Sequence, residues 1–337
     1  MDLGVLPPLL TSKWDQQEGF DKVTTLRLSG NDLIDIFFGL SHWVAITTLD
    51  LDSNKIASLP REIYQLASVS QLLLSRNLLA ELPPTFAQLT SINVLALDTN
   101  KFRSFPAAIL GLHSMQKLTF GDNRLVALDD RVYELTSLLK LKLNANMLTT
   151  LPKSFSRLTR LVSINISNNQ LEGRLPDVLG TMVNLEDVRL AFNNLTTFPT
   201  DAQHWSQLRA LDISGNKIGT IPLFAASLTT LKRLVVTENP LVIIPLQLGA
   251  LVDLRRFEYD DHDKWVSPPA SVMQQGADVA LVYLKAFHEA RVKLSFNASE
   301  LGMTQVPVEL STVSVLVELN LQVCAVLGVF QHCSYCC

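Results

Sequence analysis

The chain has 337 residues, 47% hydrophobic and 18% charged, which is enough apolar surface for a core and too little charge for a disordered segment. A formal net charge of −4 and a pI near 5.9 exclude a general attraction to phosphate backbones or anionic lipid, so nucleic acid and membrane surface are not expected partners. No apolar run approaches the ~18 residues that a membrane-spanning helix requires.

Residues 1–22 read as an N-terminal cap or partial repeat. They carry no basic stretch ahead of an apolar run of signal-peptide length, so no export signal is expected. From Val23 the chain becomes self-similar. Val23-Thr24-Thr25-Leu26-Arg27-Leu28-Ser29-Gly30-Asn31-Asp32-Leu33 is followed by Ile46-Thr47-Thr48-Leu49-Asp50-Leu51-Asp52-Ser53-Asn54-Lys55-Ile56, with the asparagines 23 positions apart. That step recurs through Asn77, Asn100, Asn123, Asn146 and Asn169, lengthens once to 24 at Asn193, and returns to 23 at Asn216 and Asn239. An eleventh unit, Leu254 to His262, keeps the register with histidine in the asparagine place, so the array spans residues 23–263.

Each unit reads L-x-x-L-x-L-x-x-N-x-L. Most then carry proline six residues after the asparagine, at Pro60, Pro83, Pro106, Pro152, Pro199, Pro222, Pro245 and Pro268. Strand side chains alternate between faces, so the leucines of L-x-L point into a shared core and the residue between them points out. The asparagine amide sits where the chain leaves the strand and is expected to satisfy backbone groups inside the turn. Its loss should cost roughly 1 to 3 kcal/mol. All ten in-register asparagines, from Asn31 to Asn239, are therefore read as a structural ladder and not as binding groups.

Two units depart from the proline ending, with Phe37 and Asp129 in its place, and altered return loops are expected there. After His262 the pattern changes to Trp265-Val266-Ser267-Pro268-Pro269 and then Ala277 to Lys293, where Val279, Val282, Leu284 and Phe287 fall at helix-like intervals. Residues 264–292 are thus a helical segment expected to cover the open end of the array. Asp260, Asp261, His262 and Asp263 suggest a metal or acid–base cluster, but nothing else there has ligand spacing, and a polar turn is the better reading. Over 293–326 the repeat phase returns with Val306-Pro307 and Leu316-Val317-Glu318-Leu319-Asn320-Leu321, as a degenerate repeat pair. The Cys-rich tail 327–337 is expected to be unstructured. Its Cys336-Cys337 ending and the Cys333-x-x-Cys336 pair beside His332 leave lipidation, metal binding and an unselected ending of a truncated product as alternatives.

The ten asparagines in register identify the array as resembling the leucine-rich-repeat family. The 23-residue L-x-x-L-P form is similar to the intracellular Ras-associated members of animals, plants and protists. Leu171-Glu172-Gly173-Arg174-Leu175-Pro176 resembles the L-x-G-x-L-P variant common in plant-type repeats, and Pro268 to Leu284 resembles the closing segment of intracellular arrays. The resemblance implies an α/β solenoid, a horseshoe with a parallel sheet on its concave face and short helical or extended segments on its convex face. It also implies a cytoplasmic protein-binding scaffold whose partners include a small GTPase or a kinase. The alternative is the repeat region of a larger multidomain enzyme such as a kinase or GTPase.

On such a sheet the exposed row between the leucines reads Arg27, Asp50, Leu73, Ala96, Thr119, Lys142, Asn165, Arg189, Asp212, Val235, Glu258, flanked by Gln71, Val94, Lys117, Lys140, Ser163, Asp187, Arg233 and Arg256. Candidate partner-binding residues are an apolar patch (Leu73, Val94, Ala96), Lys142, and a charged patch (Asp187, Arg189, Asp212, Arg233, Arg256, Glu258). Apolar surface for desolvation beside charge for selection is what a protein-binding face needs. The competing reading is that the charges pair with one another along the sheet. Eleven strands give a surface roughly 50 Å long. No phosphate-binding loop, dinucleotide fingerprint, H-E-x-x-H or kinase catalytic loop occurs, so no enzyme, cofactor or metal is expected. The first 290 residues lack cysteine, which fits a reducing compartment, and the sequons at Asn165, Asn194 and Asn297 are read as chance.

Overall fold

A computed structural model of the chain describes residues 22–36, 43–174, 176–198, 202–297, 299, 301, 303, 306–313 and 318–320. The expected N-terminal cap apart from Lys22, the Phe37 return, Pro199 and the Cys-rich tail lie outside them.

Eleven three-residue strands, from Thr25–Arg27 to Arg256–Glu258, form one parallel sheet in chain order. The register is the 23-residue step made physical. Leu26 pairs with Leu49, Leu49 with Leu72, Leu72 with Leu95, and so on to Leu234 with Phe257. From the second unit to the tenth the residues in the L-x-L leucine places are buried, with Leu49, Leu51, Leu72, Leu74, Leu95 and Leu97 all at 0% exposure, whereas Leu26 and Leu28 of the first unit are half-buried. A fully buried leucine contributes about 2 kcal/mol, and no unit closes this core without its neighbours.

The return segments are mostly 3-10 turns, such as Arg61–Gln65, Pro84–Gln88 and Lys153–Arg157, each entered through a proline in extended conformation. Proline suits that place because its φ is already set near −65° and no backbone donor is needed there. The Asp129 unit does not have the altered return loop expected of it. It forms the same turn, Asp130–Glu134, because the Asp129 carboxylate accepts a hydrogen bond from the Arg131 N–H at 2.8 Å and replaces the proline with a side-chain cap.

The extra residue in the seventh unit builds something further. Gly173, at φ +69°, lets Glu172–Arg174 form a strand that pairs in parallel with Asn194–Thr197 of the next unit, away from the main sheet. An α-turn, Asp177–Gly180, follows it.

The C-terminal end is closed by the helix Ala277–Lys293, packed on the turn Leu246–Ala250. Its buried face is Ala280, Leu281, Tyr283, Leu284, Ala286, Phe287 and Ala290, whereas Val282, expected inside, is 51% exposed. The helix approaches so closely that a Cβ on Gly249 would lie 2.0 Å from the Leu284 carbonyl oxygen, so glycine is required there. From the same buried set Phe287 packs against Phe296, and Ser295–Asn297 pairs in parallel with Glu318–Asn320, again 23 residues on.

Candidate recognition face

The concave face is positioned by the turn that ends each strand. In every unit from the first to the tenth, the residue before the asparagine has a left-handed backbone. Gly30 and Gly215 do so, but so do Ser53, Arg76, Thr99, Asp122, Ala145, Asn168, Phe192 and Glu238, with φ between 51° and 56°. Such a conformation costs about 1 kcal/mol or more for a residue with a Cβ.

The asparagine holds it. Asn146 Oδ1 accepts from the Leu125 N–H of the preceding unit at 2.9 Å, while Nδ2 donates to the carbonyls of Phe120 at 3.0 Å and Leu143 at 3.1 Å. Asn54, Asn77, Asn100, Asn123, Asn169, Asn193, Asn216 and Asn239 repeat this pattern, each 5 to 8% exposed. Among the described residues Asn31 bonds within its own turn, donating to the carbonyls of Leu28 and Ser29. In the eleventh unit His262 does not take up the asparagine role. Its ring stacks on Trp265 with centroids 4.7 Å apart, and the Trp265 indole N–H donates to the Asp260 carbonyl. No group of three ligand-type side chains able to hold a metal occurs among the described residues.

With every turn alike, the outward residues fall into straight rows. Leu73, Ala96, Thr119, Lys142 and Asn165 are successive register partners, as are Gln71, Val94, Lys117, Lys140 and Ser163. Leu73, Val94 and Ala96 are half-buried and contiguous. Thr119 is buried, its hydroxyl turned to the Asp98 carboxylate, which also accepts from the Gly121 N–H. Beside it Lys117, Lys140 and Lys142 are exposed and make no ion pair among the described residues.

The charged patch further along is a different object. Arg189 holds Asp187 through two bonds of 3.1 Å, and Glu258 receives both Arg256 at 2.6 Å and Arg233 at 3.4 Å. Asp212 accepts from the backbone and hydroxyl of Ser214. The six residues the sequence grouped there are brought together, but each carries an internal partner. Val235, in register between Asp212 and Glu258, is buried.

At the N-terminal end, burial pushes the Asp52 carboxyl up, opposed by the Ser75 N–H that it accepts at 2.6 Å and reinforced by the charges of Asp50 and Asp98. At the other end burial pushes the Tyr259 hydroxyl up to about 12, with Asp261 adding to it; that hydroxyl donates to the Met273 carbonyl at 2.7 Å. Both groups bind parts of the fold to one another.

Phe192 is a surface residue that sequence reasoning passed over. It is 47% exposed on its left-handed turn, and its ring lies where a Cβ on Gly215 would stand, 2.4 Å from Cδ1. The signal was available: an aromatic in the place before the asparagine, with glycine at the same place one unit later.

Comparison with known proteins supports the repeat reading. Profiles described as Leucine rich repeat match residues 114–171 and 207–228. No curated protein matches the chain. Among solved structures it is similar to the plant peptide hormone receptor RGFR1 in complex with RGF2, at 26% identity and a TM-score of 0.62, over 71% of this chain and 40% of the receptor. A leucine-rich-repeat protein of Leptospira interrogans is similar at 22% identity and a TM-score of 0.66, over 89% of this chain and 72% of that one. The functional domain of InlJ from Listeria monocytogenes is similar at 21% identity and a TM-score of 0.57, over 90% and 63%. The chain thus spans about two fifths of the plant receptor, and the likeness to the two bacterial proteins is one of fold. That shared fold is the leucine-rich-repeat solenoid.

Proposed function

We propose that this chain is a non-catalytic protein-binding scaffold that receives its partner across the concave face of the eleven-stranded sheet. The observation that carries this reading is the unbroken register of that face. Side chains from consecutive strands stand in straight rows about 4.8 Å apart, with half-buried Leu73, Val94 and Ala96 beside exposed lysines. Apolar surface that is already partly desolvated, rimmed by charge, suits a protein partner. The plant receptor above, which carries the same fold, was captured with a bound partner.

The setting we propose is cytoplasmic signalling linked to a small GTPase or a kinase. Its support is the L-x-x-L-P repeat form and the absence of cysteine from the first 290 residues. The plant receptor and the bacterial proteins lend that setting no weight.

The test places a photo-crosslinking residue at Gln71, exposed on the concave face, or at Gln88, exposed on a convex turn. Partners identified by mass spectrometry are expected from Gln71 and not from Gln88. Adducts confined to Gln88, or equal at both positions, would overturn the concave-face reading.

A further inference from the structure

Charge on the concave face is unevenly satisfied. In the strands from Asp187 to Glu258 each charged group has a partner: Arg189 on Asp187, Arg233 and Arg256 on Glu258, Ser214 on Asp212. In the fifth and sixth strands the opposite holds. Lys117 and Lys140 are direct register partners, a like-charged pair that a sheet ordinarily avoids, and Lys142 follows two residues on along the same strand. All three are exposed, and none makes an ion pair among the described residues. The nearby carboxylate of Asp98 is committed to the Thr119 hydroxyl and the Gly121 N–H. Immediately alongside, Val94 is the register partner of Lys117, and Leu73 and Ala96 extend the apolar step.

Resting on the concave-face reading above, we infer that this region is a two-part subsite for an acidic peptide segment of a protein partner. An apolar side chain lies on Val94, Leu73 and Ala96, and one or more carboxylates lie among Lys117, Lys140 and Lys142. The geometry sets the spacing. From Val94 to Lys140 is two strand separations, on the order of 10 Å, which an extended peptide crosses in about three residues. The recognised pattern is therefore an apolar residue with Asp or Glu two or three positions away. Three cations without internal partners select a multiply charged segment over a neutral one, and the whole chain's net charge of −4 makes this local reversal of sign the more selective. A nucleic-acid strand would find three cations here but would gain nothing from the half-buried aliphatic step, which lacks an aromatic side chain on which a base could stack.

The experiment pans a random twelve-residue peptide display library on the intact chain and on a Lys117→Ser/Lys140→Ser/Lys142→Ser variant whose fold is verified by circular dichroism. A second variant, Arg189→Ser/Arg256→Ser, serves as a charge control. The wild-type chain is expected to enrich Asp and Glu at least tenfold at the stated spacing from an apolar residue. The lysine variant should lose that enrichment, and the arginine variant should keep it. Peptides retained without acidic enrichment, acidic enrichment unchanged by removal of the lysines, or failure to retain any peptide would each overturn the inference. So would a single-stranded oligonucleotide bound through the same lysines as tightly as the selected peptides. Because crosslinking at Gln71 reports a concave-face partner independently of its charge, adducts that persist in the lysine variant would leave the concave reading standing while this subsite fails.

Discussion

Replacing Asn146 by alanine removes one rung of the ladder at the middle of the array, and the structure says which lost bond matters. The carbonyls of Phe120 and Leu143, to which Asn146 Nδ2 donates, are each also served by a neighbouring rung, through Asn123 and Asn169. The Leu125 N–H has no such second partner among the described residues: its recorded acceptor is Asn146 Oδ1 at 2.9 Å, in a buried turn. Orphaning one buried donor costs about 1 to 3 kcal/mol. Ala145 then keeps its left-handed backbone, φ 53°, with less to hold it. The expected destabilisation is therefore about 2 kcal/mol, read as a lower urea midpoint at unchanged slope, together with faster hydrogen exchange at the Leu125 amide. Asn146→Asp should be worse than alanine despite keeping the acceptor oxygen, because it turns a buried anion toward two carbonyls. Asn184→Ala, which removes an exposed bond to the Thr159 carbonyl, should change stability by less than about 0.5 kcal/mol. An Asn146→Ala protein indistinguishable from Asn184→Ala would refute the argument that these amides sustain the turns.

Three further outcomes follow from individual sites. Asp129→Ala should cost about 1 kcal/mol by removing the cap on the Arg131 N–H, whereas Asp129→Pro should restore most of it, since the backbone there already has φ −65°; urea midpoints compare the two. Gly215→Ala combines a left-handed position with the Phe192 ring and should destabilise by at least about 1 kcal/mol, and adding Phe192→Ala should recover only the steric part. For Asp52 the folded carboxyl is raised above its unfolded value, so the folded state holds its proton to higher pH and the wild type loses stability as pH rises through that window. Asp52→Asn keeps an oxygen for the Ser75 N–H and does not titrate. Its thermal midpoint relative to wild type should therefore improve between pH 3.5 and pH 6, and a difference that shrinks over that range would contradict the burial-driven shift.

Most of the scaffold could be read from the letters because each unit repeats the same physical instruction. Leu49, Leu72 and Leu95 occupy one place in three units and one height in the core, and the asparagines mark the same turn each time. What escaped the sequence reading depends on chemistry that is not periodic. Asp129 breaks the L-P pattern yet makes the same turn, because a carboxylate cap and a proline solve one backbone problem in two ways. The inserted residue near Gly173 read as a variant spelling, but its second small sheet requires a partner strand in the next unit.

Val282 follows the helical period and still points outward, since which stripe of the cap helix is buried is decided by where the Gly249 turn lets it approach. The recognition face was legible only as two rows of side chains. Whether a charge there is free depends on cross-strand rotamers, which close Arg189 on Asp187 and Arg256 on Glu258 but leave Lys117, Lys140 and Lys142 open.

Identical register in sequence means identical height in one continuous core, and a pair of deletions probes that equivalence. Removing the 23 residues Arg124–Asn146 takes out one whole coil and leaves Asn123 to precede Met147 as Asn146 does now. Removing the 12 residues Arg124–Leu135 instead takes out the return segment alone and leaves four residues between Asn123 and Lys140, too few to cross back to a parallel strand. Urea unfolding followed by circular dichroism should show a single cooperative transition for the first protein and none, or a severely weakened one, for the second. Two deletions that unfold alike would contradict the shared register on which the solenoid, and the face it presents, depends.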